Sequence, residues 1–204
     1  MNDISAAIRR LDKWKGTALA AVCAKSVSPV VVQFGQLRTQ EAFEDGLLAV
    51  WESISDGAPT PNVALARPVL DNLSESSTDD SSVPAFDVMI AISVLAYALD
   101  AIIEDDWVGP TTNACNAAKS QYSGYDYVLT YGDETRIVDP QNLPPPGRLE
   151  SFLIESQFLC LEELRRASGL PQDVLAKLRR IADNLAFELN QSVRTYAKRR
   201  AWLV

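Results

Sequence analysis

The apolar run over residues 84 to about 105 constrains this chain more than any other feature. Its sequence, PAFDVMIAISVLAYALDAIIEDD, puts apolar side chains around almost the whole circumference of a helix. A helix of that kind is buried on most of its sides. Asp87 and Asp100 limit the charge-free part to residues 88–99, which is shorter than the roughly 20 residues that a bilayer requires. We therefore expect a buried core helix, surrounded by others, and no membrane span.

Apolar residues recur at helical spacing along most of the remaining sequence. Together they predict a single all-α domain over residues 1–204, a bundle of about seven to eight helices. The predicted helices cover residues 4–14 with a continuation at 18–23, 28–37, 40–55, 63–73, 84–105, 112–122, 148–168 and 171–199. Ser28 and Pro29 are typical of an N-cap and a first helical position, so they predict a new helix there. The polar run over residues 74–82 predicts a flexible surface loop.

Residues 124–147 differ from the rest of the chain because they are rich in tyrosine and proline. Tyr125, Tyr127, Leu129 and Tyr131 alternate at a period of two, Gly132 and Asp133 supply a turn, and residues 136–138 can return as a second strand. The sequence therefore predicts a small irregular or hairpin insert in the helical domain.

The residue types exclude several classes of function. The chain has no histidine, which removes the usual general base and every histidine-containing metal site. Its three cysteines, Cys23, Cys115 and Cys160, are odd in number and far apart, so a disulfide framework is not expected. The N-terminal residues do not resemble a signal peptide. These features favour a cytoplasmic protein without catalytic residues, metal or cofactor.

Negative charge is concentrated in the middle of the chain. Residues 40–110 contain fourteen acidic residues and one basic residue, Arg67, within an overall net charge of −8. Such a field repels phosphate backbones and favours a cationic partner. We therefore expect the partner to be another protein, of basic charge, and not nucleic acid or a membrane. Carboxylates that merely keep the surface solvated are the competing interpretation.

Two groups of residues are the candidate partner-binding site. The first group is the acidic end of the core helix, Asp100, Glu104, Asp105 and Asp106, followed by Trp107. Carboxylates at a helix C-terminus are electrostatically unfavourable, which is consistent with a role in binding. The second group is Tyr125, Tyr127 and Tyr131, whose side chains suit recognition. For Trp107 and the tyrosines, burial against the helices is the alternative.

A divalent-metal hydrolase is the alternative function. Carboxylates supply the oxygen ligands that Mg²⁺ prefers, and Asp71, Asp100 and Glu104 with Glu41 or Glu44 are the candidates. This hypothesis requires those side chains to converge in space.

The order of these helices resembles the YjaG-like family, a bacterial all-helical group of unknown function. The resemblance is carried by IRRLDKWKGTALAAVCAKSVSP, AFEDGLLAVW, AFDVMIAISVLAYALDAI and ESFLIESQFLCLEELRRASGL. It implies the all-helical fold and spans most of the chain, and residues 124–147 depart from it. The sequence as a whole predicts an acidic protein-binding module. Its most specific form is an immunity or antitoxin protein that neutralises a basic toxin or effector, although a bacterial adaptor would show the same features.

Overall fold

Eight α-helices form the part of the chain that the computed structural model describes, which is residues 4–78, 83–132 and 145–200. They are α1 (Ile4–Ile8), α2 (Lys13–Phe34), α3 (Leu37–Asp56), α4 (Pro61–Asp71), α5 (Pro84–Ile103), α6 (Val108–Tyr131), α7 (Arg148–Arg166) and α8 (Gln172–Arg199). A 3₁₀ helix, Ser74–Ser77, follows α4, and these ranges contain no strand. The predicted all-α fold is confirmed.

The core is built around α2 and α5, which run antiparallel. The start of α2 lies beside the end of α5: Lys13 Nζ donates to the carbonyl of Glu104 at 2.8 Å, and Thr17 Oγ1 lies 3.5 Å from the carbonyl of Ala101. Both helices carry fully buried alanines, namely Ala18, Ala20, Ala21, Ala24, Ala91, Ala98 and Ala101. Small side chains let two helices approach closely, and the remaining helices pack around this pair.

Both central helices are also long and apolar enough to cross a membrane. In the folded chain they are largely covered, since 72% of the apolar window of α2 and 50% of that of α5 are buried. Core helices pass the same test of length and composition, so these two helices are weak evidence for a membrane span.

The predicted helix break at Ser28 and Pro29 is wrong. Helix α2 continues through both residues to Phe34, with Pro29 buried inside it. An internal proline removes one backbone hydrogen bond and costs about 3 kcal/mol. The packing of α2 against α5 and α8 outweighs this local preference.

The three cysteines are buried free thiols. Cys23 on α2 and Cys115 on α6 face each other across the helix contact, with their Sγ atoms 3.7 Å apart. Gln157 on α7 donates to the carbonyl of Cys115 at 3.3 Å. The hydrogen bond to Cys23, together with burial, raises the pKa of Cys115 well above its usual value. The thiols therefore serve as core side chains where three helices meet.

Part of the predicted surface loop is a buried helix cap. Glu75, in the 3₁₀ helix, is only 5% exposed. Its Oε1 accepts from the backbone N–H of Gln36 at 3.1 Å and from Thr39 Oγ1 at 2.9 Å, so it caps the start of α3 from a distant part of the chain. Burial by itself raises the pKa of Glu75. These hydrogen bonds and one from Ser74 lower the pKa by more than that, so it lies below its ordinary value. Residues 79–82 of the loop lie outside the described residues.

The first strand of the predicted hairpin is instead the end of α6. Helical spacing, and not alternation, places Tyr122 and Tyr125 on the buried face. Tyr122 fixes that face, because its hydroxyl donates to the carbonyl of Leu185 at 3.0 Å. The predicted second strand, residues 136–138, lies outside the described residues.

Helix α7 begins against α6. Asp126 of α6 accepts from the backbone N–H groups of Leu149 and Glu150 at 3.1 and 2.8 Å, which caps the start of α7. Gly147 is needed for this approach, since an added Cβ would lie 2.4 Å from Asp126 Cγ. Helix α8 then returns along α2 and α6 and closes the bundle.

Candidate functional site

The acidic turn, defined here as Glu104, Asp105 and Asp106, connects α5 to α6. All three side chains are exposed. The hydrogen bond from Lys13 to the Glu104 carbonyl satisfies the end of α5, and Asp106 Oδ1 accepts from the backbone N–H of Val108 at 3.3 Å. Within the described ranges, none of the three carboxylates forms an ion pair. The turn thus presents three exposed carboxylates with no described ion pair, and the ammonium of Lys13 is bound to its backbone.

The next helix changes the electrostatics of this turn. The sequence predicts a helix start at Thr112, but α6 begins at Val108. The acids therefore lie at the C-terminus of α5 and also at the N-terminus of α6, where negative charge is favourable. The expectation that their position is electrostatically unfavourable is wrong for Asp106, which directly contacts the start of α6.

Trp107 packs into the bundle. It is partly buried and contacts the core cluster. An added Cβ on Gly16 of α2 would lie 2.1 Å from Trp107 Cζ3, so the indole rests directly on the glycine. The Trp107 side chain therefore anchors the acidic turn to α2. Its position agrees with the alternative of burial against the helices better than with that of an exposed interface residue.

Asp100 differs from the carboxylates of the acidic turn because it forms an ion pair. The Nε of Arg67 on α4 donates to Asp100 Oδ1 at 2.7 Å, and the same guanidinium pairs with Asp71. Burial lowers the pKa of Arg67, but the two carboxylates raise it above its usual value, so the guanidinium stays charged. Asp100 is thus already neutralised within the fold and ties α5 to α4.

The convergence that a metal site requires is not seen. Asp71 and Asp100 surround the cationic group of Arg67. Nowhere in residues 4–78, 83–132 and 145–200 do three or more acidic or cysteine side chains form a group able to hold a metal ion. The geometry of the described carboxylates therefore lends no support to the metal hydrolase.

The candidate tyrosines are divided between the core and the surface. Tyr125 is 2% exposed, stacks edge-on against Tyr196 of α8 with ring centroids 5.0 Å apart, and donates to Asp87 Oδ2 at 3.3 Å. Its side chain is therefore part of the core, as the burial alternative describes. Tyr127 and Tyr131 are partly buried one turn apart, with ring centroids 5.3 Å apart.

The central acidic segment separates into carboxylates that the fold uses and carboxylates that it exposes. Glu75 caps α3, Asp87 lies in a polar contact with α6, and Asp71 and Asp100 bind Arg67. Among the described acids of this segment outside the acidic turn, the exposed ones with no described ion pair are on α3: Glu41, Glu44, Asp45 and Asp56. Asp71 on α4 is also exposed, but it pairs with Arg67. Exposed negative charge is therefore concentrated on α3 and on the acidic turn.

A surface groove between α3 and α4 was missed in the sequence. Three exposed apolar side chains border it: Leu48, Leu65 and Val69 are 56%, 68% and 42% exposed. Leu48 falls outside the buried stripe of α3, and Leu65 and Val69 lie one helical turn apart on α4. Apolar residues off the core face of an amphipathic helix are the signal that would have identified the groove.

Together these features define an all-α bundle with an acidic surface, an apolar groove and a packed core. Its fold is similar to the crystal structure, at 1.91 Å resolution, of a DUF416 family protein from Shewanella baltica OS155. The TM-score is 0.70 at 15% sequence identity, over 90% of this chain and 95% of that chain. No protein-family model and no curated protein matches the sequence. At this identity the likeness shows the fold alone, shared with a member of an uncharacterised bacterial family.

Proposed function

We propose that this chain is an acidic protein-binding module whose partner is a basic protein. The observation that carries the proposal is the separation of the carboxylates. The fold neutralises Asp71 and Asp100 and buries Glu75, yet it leaves the acidic turn and the acids of α3 exposed and without described ion pairs. Exposed charges held on helix ends and helix faces attract an oppositely charged partner, and the helical backbone that carries them is already ordered before binding.

The charge arrangement would act mainly on the rate of association. Like charges gathered on one surface steer a partner of opposite sign, and the effect weakens as salt screens it. The anchoring of the turn by Trp107 and Lys13 supports this role, because a preorganised turn need not be ordered by the partner.

The most specific form of the proposal is a cytoplasmic neutralising protein of the immunity or antitoxin type. Such a protein needs only a complementary surface that occludes a basic toxin or effector. An adaptor that links a basic protein to another component would use the same surface. We further propose membership of the YjaG-like family on the sequence segments described above.

Affinity capture from an extract of the source cells, followed by kinetics with the captured protein, tests the proposal. Reversal of the acidic turn, Glu104→Lys with Asp105→Lys and Asp106→Lys, should slow association by about tenfold at low salt and flatten its salt dependence. The matched control is Glu155→Lys with Glu162→Lys and Asp183→Lys, which makes the same charge change with exposed acids of α7 and α8.

The control should retain most of the association rate of the wild-type protein. Equal effects of the two triple variants would show that only net charge matters and would remove the acidic turn from the interface. Capture of acidic proteins alone would overturn the proposal.

A further inference from the structure

The groove between α3 and α4 has the shape and lining of a helix-binding site. It encloses about 370 Å³ and is lined by Ala42, Asp45, Leu48, Asn62, Leu65, Ala66 and Val69. Alanines form its floor, while larger apolar side chains stand at its edges. Amphipathic helices commonly bind in apolar grooves between two helices of this kind.

The floor of the groove is rigid because the helices beneath it are closely packed. Gly46 of α3 faces α5, and an added Cβ there would lie 3.0 Å from Leu95 Cδ2 and 3.7 Å from the Cβ of Ala66. Leu95 is fully buried. The position of α3 beneath the groove is thus fixed by the packing of the folded core.

Three exposed apolar side chains are brought together at the edges of the groove. Leu48 of α3 and Leu65 and Val69 of α4 line the groove and are each more than 40% exposed. Covering such side chains removes apolar surface from water, which contributes a favourable free energy of binding of about 25 cal/mol per Å² of buried apolar surface. A partner with its own apolar stripe would gain from all three.

Charge around the groove selects the class of partner. Asp45 lines it, and Glu41 and Glu44 are exposed on the same helix. Of the cations on the two helices, Arg67 of α4 is already paired with Asp71 and Asp100, and Arg38 near the start of α3 is outnumbered by the acids of that helix. The field over the groove is therefore negative, which disfavours an anionic membrane surface and an acidic helix.

We propose that the groove binds an amphipathic helix of a partner protein, with leucine-like residues on its apolar face and lysine or arginine along its flanks. The apolar residues would pack between Leu48 and Leu65, and the basic flank would lie along the acids of α3. The preference for a basic helix rests on the proposed function; the location and the requirement for an apolar face do not.

Three synthetic peptides of about 16 residues, long enough for more than four helical turns, test the proposal. The first has leucines at helical spacing flanked by lysines. The second has the same composition in scrambled order, and the third replaces each lysine of the first with glutamate. Fluorescence anisotropy of labelled peptides measures binding to the folded protein. The groove variant is Leu48→Ser with Leu65→Ser.

The matched control variant is Leu159→Ser with Phe187→Ser, which removes two equally exposed apolar side chains, 55% and 62% accessible, from α7 and α8. Because all four side chains are exposed, neither variant should unfold the chain. The first peptide should bind about tenfold more weakly to the groove variant than to the wild-type or control protein. It should also bind about tenfold more tightly than its scrambled isomer.

Equal binding of the amphipathic and scrambled peptides, or no loss in the groove variant, would overturn the groove proposal. It would leave the proposed function standing if both basic peptides still bound more tightly than the acidic one. Equal binding of basic and acidic peptides would instead count against the proposed function. Sedimentation of the protein alone adds one more outcome: self-association abolished by the groove variant would make a second copy the occupant and overturn the proposal.

Discussion

At the scale of single residues, Gly16 determines where Trp107 lies. A methyl group at position 16 overlaps the indole ring, with 2.1 Å between the added Cβ and Cζ3. Gly16→Ala should therefore displace Trp107 and destabilise the protein by about 1–3 kcal/mol. Chemical denaturation followed by tryptophan fluorescence measures both effects. Gly109→Ala is the control, since its added Cβ meets nothing within 4 Å. An equal loss of stability in the control would contradict this account.

Asp87 predicts an unusual dependence of stability on pH. Its carboxylate accepts from Gln121 and Tyr125, both at 3.3 Å. Burial raises its pKa to about 6, although these bonds and the charge of Arg200 lower it. A raised folded-state pKa means that the stabilisation from protonated Asp87 is fully present below pH 3.8, its unfolded value, and is lost as the pH rises through about 6.

The substitution Asp87→Asn tests this directly. Since the amide stays neutral, the variant should gain stability relative to wild type between pH 4 and pH 7.5, by at most about 3 kcal/mol. Urea denaturation of both proteins at the two pH values measures the gain. Parallel pH profiles would show that Asp87 is not perturbed by its surroundings.

At the scale of helices, the start of α3 depends on a residue almost forty positions away. Glu75→Ala would leave the N–H of Gln36 and the hydroxyl of Thr39 without their shared acceptor. Loss of a cap and of buried hydrogen bonds should cost about 2 kcal/mol. Because the pKa of Glu75 is lowered, its contribution is present at neutral pH and is lost as the pH falls through the folded-state value.

Glu75→Gln is the matched variant, because it keeps an acceptor and loses the charge. We expect it to cost less than Glu75→Ala, and the penalty of each variant relative to the wild-type protein should shrink in acid, where the wild-type carboxylate is itself protonated. Thermal denaturation at neutral and acidic pH measures the three proteins. A constant penalty at all pH values would show that the carboxylate charge does not stabilise the cap.

The helices themselves were largely predictable from the sequence, and their joins were not. Apolar spacing located α3, α5, α7 and α8 because each has an apolar stripe on one face or, in α5, around most of its circumference. Local signals failed at Pro29 and at Tyr125, where burial in a helix outweighs proline geometry and a period-two pattern. The cap by Glu75 joins residues far apart in sequence, so no local pattern could indicate it.

At the scale of the whole molecule, the excess of negative charge should make stability sensitive to salt. Unpaired carboxylates on α3 and the acidic turn repel one another in the compact state. Raising NaCl from about 20 to about 200 mM should screen this repulsion and raise the melting temperature by about 2–4 °C. Differential scanning calorimetry measures the shift.

The triple neutral variant Glu41→Gln with Glu44→Gln and Asp45→Asn should show a smaller rise, from a higher melting temperature at low salt. A fall in wild-type melting temperature with salt would mean that ion pairs such as Arg67 with Asp100 outweigh the repulsion.

The candidate site was predictable from the sequence only in part. Counting charges located the acidic segment in the sequence. Only the packed structure shows which of its carboxylates are buried or paired within the fold, and that an apolar groove lies beside α3.

The reactivity of the facing thiols of Cys23 and Cys115 can report local opening of the core. Neither sulfur is reachable while α2 and α6 remain in contact. An alkylating reagent can therefore modify them only during moments when those helices part, and the rate of modification under native conditions reports how often that happens. Alkylation of these native cysteines therefore measures local opening of the central helices without any added label.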